Sequence, residues 1–322
     1  MKLKFLFYSI VSGLIVIMLV ACERQGDDNA ELDKRLSDKE LSEKSIIATD
    51  EKVLRFGFDI RAGLKEDAKQ YLPFLKYLEK TTGYRFKLRL TPKDGKIIDD
   101  LGKGLIHFAA IGATSYVQAA DKYGVKPIVR GVNKQGKAEY RSYLVVRPDS
   151  PIKSLTDLYG ARFAFGGKSS TQGHLIPRII LQKQQVQLQD LKDYIYTGSH
   201  QKCAEAVISG KADVCGMQDT MAEQLARDKQ VRILYRSAYY PSSGIVASDK
   251  VPVAIYNRVK QALLSFRPGG RDAPGLYHWD KTEMPNGFVE ARDADYKSLR
   301  QWMDKLDISR NLFFSQQGGI MI

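Results

Sequence analysis

The chain has 322 residues, with 50 Lys and Arg against 37 Asp and Glu, a formal charge of +13. That length is long for one compact core and suits two lobes, while the excess of cations points to an anionic partner. No arginine-rich or aromatic-ladder segment supports a nucleic acid in that role, which leaves a small oxyanion or a lipid headgroup.

Lys2 and Lys4 precede an apolar run from Phe5 to Val20, broken by Tyr8, Ser9, Ser12 and Gly13. The run falls short of the roughly 20 residues of a bilayer span and stops at Leu19-Val20-Ala21-Cys22, so residues 1–21 read as a secretory signal. Leu-Val-Ala-Cys resembles a bacterial lipobox, which implies that Cys22 is acylated and tethers the exported chain to a membrane surface. Residues 22–51 are mixed in charge, lack aromatics and carry few apolar side chains before Ile46. Such a stretch buries too little apolar surface to offset its ordering entropy and reads as a flexible tether.

From residue 53 the pattern alternates. "VLRFGF" (53–58) reads as a strand. Residues 68–82 form a helix with Tyr71, Leu72, Leu75 and Leu78 on one stripe, ended by Gly83. "YRFKLRL" is a strand, 95–103 a helix, "LIHFAAIG" a buried strand and 115–122 a helix. "KPIVRGV" and the longer "YRSYLVVR" follow as strands. A second series begins near Ser150: strand "ARFAFG", helix 171–184, strand "YIYTG", helix 200–209, strand "ADVCGM", helix 219–228 and strand "VRILYRS". After "PSSGIVAS" come helices at 253–266 and 294–306, the latter with Tyr296, Leu299, Trp302, Met303 and Leu306 on one face.

Strands alternating with helices predict an α/β fold with parallel sheets and right-handed crossovers. Two series with helices left over predict two lobes, 52–145 with 244–322 and 146–243. The crossings would fall near Val145 to Arg147 and Ser242 to Val246. Ligands in such sheets bind beyond the carboxyl ends of strands, so the loops there carry the function.

The first such loop is Gly166-Gly167-Lys168-Ser169-Ser170-Thr171-Gln172-Gly173-His174. Glycines admit close backbone approach, and hydroxyls ahead of a helix start make a cradle for a tetrahedral oxyanion; an ordinary helix cap fits the same residues. A nucleotide P-loop does not, because Arg162 stands where its first glycine belongs. Thr197-Gly198-Ser199-His200 repeats the strand, glycine, hydroxyl and helix order, and a neutral His200 would donate a hydrogen bond. Gly112-Ala113-Thr114-Ser115-Tyr116 brings the Tyr116 hydroxyl towards the same region, and Gln218-Asp219-Thr220 offers Asp219. Each of these also reads as a cap, a surface group or core. Cys203 and Cys215 either pair in an oxidising compartment or stay as two buried thiols. His200 and Cys203 lack two further ligands for a metal, and no cofactor is expected.

These elements, with Val207-Ile208-Ser209-Gly210-Lys211-Ala212-Asp213-Val214 and the ending from Gly287-Phe288-Val289 to Asp295-Tyr296, resemble the phosphate/phosphite/phosphonate-binding proteins of ABC transporters. The resemblance implies a type II periplasmic-binding fold whose two lobes close on a ligand. It implies that Ser170 and Thr171, with Ser169 and Gln172 beside them, hold phosphonate oxygens through hydroxyls and helix N–H groups, aided by Tyr116 and His200. Gln172 stands where a small hydroxyl residue is usual, and Gly57-Phe58-Asp59-Ile60-Arg61 replaces a tyrosine-bearing loop. Arg61 favours an added anionic group on the ligand, whereas Asp59 or Asp219 favours an amine. Ser170, His200 and Asp219 lack the Gly-x-Ser-x-Gly elbow of a nucleophilic triad, so no enzyme is expected. The expected protein is an extracytoplasmic monomer of the cell envelope that binds a small oxyanion and hands it to an ABC permease, or alternatively signals to a membrane receptor or histidine kinase.

Overall fold

The computed structural model describes residues 53–308 apart from Ala62, Lys93 and Asp94. The signal segment, Cys22 and the tether expected from the sequence lie outside the described residues.

Strand β1 (Val53–Phe58) opens the fold and pairs in parallel with β2 (Arg85–Leu88). Between them α1 (Leu64–Thr82) buries Tyr71, Phe74, Leu75 and Leu78. Gly83 ends it at φ 74° and donates its N–H to the Glu79 carbonyl at 2.9 Å, the left-handed stop that glycine adopts without a Cβ penalty. Leu72, expected on the buried stripe, is 49% exposed. Phe74 takes its place and lies 4.8 Å from the Trp279 ring, inside an aromatic cluster with Phe266 and Phe288.

Next come α2 (Ile97–Gly102), β3 (Phe108–Ile111), α3 (Ala113–Tyr123) and β4 (Lys126–Gly131). The chain then passes through the short β5 (Glu139–Tyr140) into β6 (Ser142–Val146) and β7 (Arg162–Phe165). A π-type turn, Thr171–Leu175, leads into α4 (Ile176–Lys183). Then follow β8 (Asp193–Tyr196), α5 (His200–Ile208), β9 (Val214–Gln218), α6 (Asp219–Arg227) and β10 (Arg232–Arg236). The return runs through β11 (Tyr240–Pro241) to β12 (Gly244–Ala247), α7 (Val253–Ser265), β13 (Phe288–Glu290) and α8 (Lys297–Lys305).

The strands form a six-stranded sheet ordered β13-β4-β12-β3-β1-β2 and a five-stranded sheet ordered β10-β6-β9-β7-β8. Neither is purely parallel, contrary to the sequence expectation. β12 runs against both β3 and β4, and β6 runs against both β9 and β10. Both β6 and β12 enter their sheet from the other one, and each arrives from the strand-end side, so each must run in the opposite sense. Consequently β6 belongs wholly to the second sheet, and the first crossing lies before Ser142 rather than at Val145 to Arg147. The two crossings travel together, since β5 and β11 pair antiparallel with Tyr140 opposite Tyr240.

Cys203 of α5 and Cys215 of β9 are joined in a disulfide with Cα atoms 5.8 Å apart. It resolves the alternative left open by the sequence and staples a helix to the strand that follows it. Helix α8 packs Leu299 and Met303 into the core beside α3, and Arg300 pairs with Asp121 at 2.9 Å.

Candidate functional site

The carboxyl ends of β1, β3, β7 and β8 converge with the paired crossings on a cleft of about 690 Å³. Asp59, Arg61, Ser169, Ser170, Thr171, Gln172 and His200 all line it.

The loop after β7 is built to bring backbone close. The Gly166 N–H donates to the Gly173 carbonyl at 2.8 Å, and a Cβ at Gly173 would meet the Gly166 Cα at 3.0 Å and His200 Cε1 at 3.1 Å. Ser170 Oγ accepts from the Gly173 N–H at 2.9 Å, capping the turn that opens α4. Thr171 Oγ1 accepts from both the N–H and the hydroxyl of Thr114, at 2.9 and 3.0 Å. Those two bonds join the start of α4 to the start of α3 and so connect the two sheets. A hydroxyl that only accepts keeps its own proton to donate, so Ser170 and Thr171 each retain one donor. Gln172 is used structurally: its Nε2 donates to the Arg141 carbonyl at 2.7 Å, and its own carbonyl accepts from Ser142 Oγ at 2.6 Å.

Two histidines are fixed in opposite tautomers. His200 Nδ1 accepts from the Gln218 N–H at 3.3 Å, which leaves the proton on Nε2. Burial, with the nearby Arg61 charge, lowers its pKa to about 4, so at neutral pH the ring is an uncharged donor. His174 Nδ1 lies 2.7 Å from the Lys168 carbonyl and its Nε2 lies 3.1 Å from the Tyr196 hydroxyl. A carbonyl only accepts, so the proton sits on Nδ1 and Tyr196 donates to Nε2. This pair anchors the glycine-rich loop from behind.

On the first sheet, Asp59 Oδ2 accepts from the Gly112 N–H at 2.9 Å and Ser115 Oγ at 3.2 Å. Burial pushes its carboxyl above the ordinary range, opposed by the charge of Arg61 and by those two bonds. Arg61 forms an ion pair with Glu283. The Tyr140 hydroxyl, on β5, is buried near Thr171, the Ala113 amide and Ser243. It has no hydrogen-bond partner of ordinary geometry among the described residues.

Two expected site residues stand elsewhere. Tyr116 is 2% exposed and donates to Asp293 Oδ1 at 2.6 Å, its ring 4.4 Å from Tyr296. One residue advances a helix by about 100°, so α3 turns Ser115 into the cleft and Tyr116 into the core. Asp219 does not line the cleft; it accepts from the Arg141 N–H at 3.0 Å and the Thr220 N–H at 2.8 Å. Conversely, Ser115, Tyr140, Lys168, Ser243 and Glu283 line the cleft without having been selected. Ser115 lies within Gly112–Tyr116 and Lys168 within the glycine-rich loop, but Tyr140, Ser243 and Glu283 sit on the crossings or in a loop with no local signature.

Two α/β sheets facing each other across a cleft lined by polar and apolar side chains, with helix starts from both directed into it, define a bilobal ligand-binding protein. The family model described as "ABC transporter, phosphonate, periplasmic substrate-binding protein" matches residues 64–296, and the chain belongs to that family. It is one of transport binding proteins, not enzymes. The chain is 28% identical over 226 residues to the phosphonates-binding periplasmic protein of Escherichia coli strain K12, covering 67% of each. It is 24% identical over 256 residues to the phosphate-import protein PhnD of Mycolicibacterium smegmatis, covering 73% of this chain and 79% of that one. Among solved structures, PhnD1 of Prochlorococcus marinus in complex with methylphosphonate shares the fold. Its TM-score is 0.70 at 21% identity, over 80% of this chain and 99% of that chain. XAC2383 of Xanthomonas citri bound to ATP also shares it, with TM-score 0.66 at 20% identity over 81% and 98%.

Proposed function

We propose that the chain is a lipid-anchored extracytoplasmic binding protein that captures a phosphonate, or a closely related small oxyanion, in this cleft and delivers it to an ABC permease. The observation that carries the reading is the convergence of uncharged donors on one cavity. They are the Ser170 and Thr171 hydroxyls, the backbone of the Gly167–Thr171 loop, the His200 Nε2–H and the Tyr140 hydroxyl. Pre-placed neutral donors hold an oxyanion without proton transfer or a buried countercharge. We assign Ser169 to the rim, Arg61 to the cleft wall beside His200 and Gln172 to the support of the loop, and we divide the lobes at the paired crossings, before Ser142 and after Ser237. The guest stabilises the closed arrangement by touching both sheets at once, which drives hinge closure by its differential affinity.

Titration calorimetry of the folded protein with methylphosphonate, phosphite, phosphate and sulfate tests this. At least one should bind, and His200→Ala should weaken that binding by about 1–3 kcal/mol through loss of a donor to a charged oxygen. No heat from any of them would overturn the reading. The anchor rests on the Leu-Val-Ala-Cys sequence and is tested separately: wild type should sediment with membranes, and Cys22→Ser should appear in the soluble fraction. Equal distribution of the two would refute the anchor.

A further inference from the structure

The cleft is much larger than an oxyanion. Its volume of about 690 Å³ falls in the range of pockets that hold drug-sized ligands, roughly 300–1,000 Å³, several times what a methylphosphonate ion fills. The polar groups described above occupy one part of it. The lining also includes Ile60, Leu64, Leu90, Pro92, Ile97 and Ile98, contributed by the ends of β1 and β2 and the starts of α1 and α2, with Thr91, Lys96 and Gln118 interspersed. Ile60 is 56% exposed and Leu64 38% exposed, and both face this cleft. Contiguous apolar surface left facing a cleft marks a place where an apolar group is meant to settle.

The carboxylates of the cleft argue in the same direction. Among the described residues lining it, Asp59 and Glu283 are the acidic ones. Asp59 accepts from Gly112 and Ser115, and Glu283 is paired with Arg61. Asp219, the other acid expected to meet a ligand amine, does not line the cavity and is spent on backbone N–H groups. Arg61 pairs with Glu283 and its charge also bears on Asp59, so a guanidinium already opposes the negative charge that an ammonium on the ligand would seek. The cations Lys96 and Lys168 stand at the exposed rim, in water, where a second anionic group gains little.

We infer that the guest is an alkylphosphonate with an unbranched apolar chain of several carbons, its headgroup among Ser170, Thr171, His200 and Tyr140 and its chain along Ile60, Leu64, Leu90, Ile97 and Ile98. This rests on the proposed headgroup site and extends it to the rest of the ligand.

The test is calorimetry with methyl-, ethyl-, propyl-, butyl- and hexylphosphonate, with 2-aminoethylphosphonate and 3-phosphonopropionate as polar-chain counterparts. Burial of each methylene is worth up to about fourfold in affinity; at only about twofold for each of the five added methylenes, hexylphosphonate should bind about thirtyfold more tightly than methylphosphonate. The two polar-chain ligands should bind more weakly than the alkyl ligands of equal length. Ile60→Ser/Leu64→Ser, two changes at exposed positions, should cut the ratio of hexyl to methyl affinity at least tenfold. Methylphosphonate binding with affinity that is flat or falling along the series overturns the chain inference alone, as does tighter binding of either polar-chain ligand or an unchanged ratio in the double variant. Absence of binding by every phosphonate, methylphosphonate included, overturns the headgroup site and this inference with it.

Discussion

Alanine at position 173 should weaken ligand capture roughly a hundredfold or more while leaving the fold intact. The added Cβ would sit 2.9 Å from Ser170 Oγ, 3.0 Å from the Gly166 Cα and 3.1 Å from His200 Cε1. Two of these are donor groups and the third is backbone, so relief requires moving the parts that grip the ligand. Overpacking of this kind costs about 1–3 kcal/mol. That cost falls on the fold; displacing the Ser170 and His200 donors from charged oxygens costs ~1.5–3 kcal/mol each in binding, and these two losses set the hundredfold expectation. Gly269→Ala is the matched control, because a Cβ there meets nothing within 4 Å. Calorimetry of both variants against the tightest-binding phosphonate checks it. Equal affinity for the Gly173→Ala variant and wild type would show that the loop yields freely and that the site does not depend on its shape.

The second large effect is acid sensitivity of the fold. His107, His174 and His200 are each buried, and burial is the main reason that all three have pKa values lowered to about 4 from the ordinary 6.5. The Arg55 charge adds to this at His107, Arg61 at His200, and Arg178 with Lys168 at His174, where the Lys168 carbonyl opposes it. In the unfolded chain these rings take up protons as pH falls through about 6.5, whereas the folded protein resists until about 4. The unfolded state thus binds more protons across that window, so stability is complete above it and drains away as pH descends. Each ring contributes at most about 3 kcal/mol. Asp59 and Asp219 act in the opposite sense, because burial raises their carboxyl pKa and the folded state holds their protons longer. The net expectation is a loss of several kcal/mol between pH 7 and pH 4.5, read from urea midpoints at constant slope. His107→Gln, whose side-chain carbonyl can accept from the Arg55 N–H that His107 Nδ1 now accepts at 2.9 Å, should flatten its share of the curve. A stability profile without slope over this range would refute the assignment of neutral rings.

Much of this molecule could be read before any coordinates. Strands such as Phe108–Ile111 and Val214–Gln218 stand out as short, wholly buried apolar runs, and the glycine and hydroxyl loop between β7 and α4 announces itself by composition. Local sequence carries such signals because each rests on a few neighbouring side chains. Strand direction is different. That β6 and β12 run against their neighbours depends on which sheet the chain has just left, a property no six-residue window contains. The orientation of Tyr116 turned on one residue of helical phase, and Asp219 is held by the Arg141 amide at the start of the neighbouring strand β6. Tyr140 and Ser243 reach the cleft because the crossings pass through it, so their role appears only once the two sheets are assembled.

The pairing of β5 with β11 fastens one sheet-to-sheet passage onto the other, and the two strands behave as a single axle. In the hinge closure proposed above, a swing of one half against the other would turn about that line, so the distant rim would sweep the widest arc while Tyr140, seated on β5, would barely travel. On the proposed reading, a guest atom resting against that phenol would be the first contact made firm and the last released, whatever happens at the outer edge.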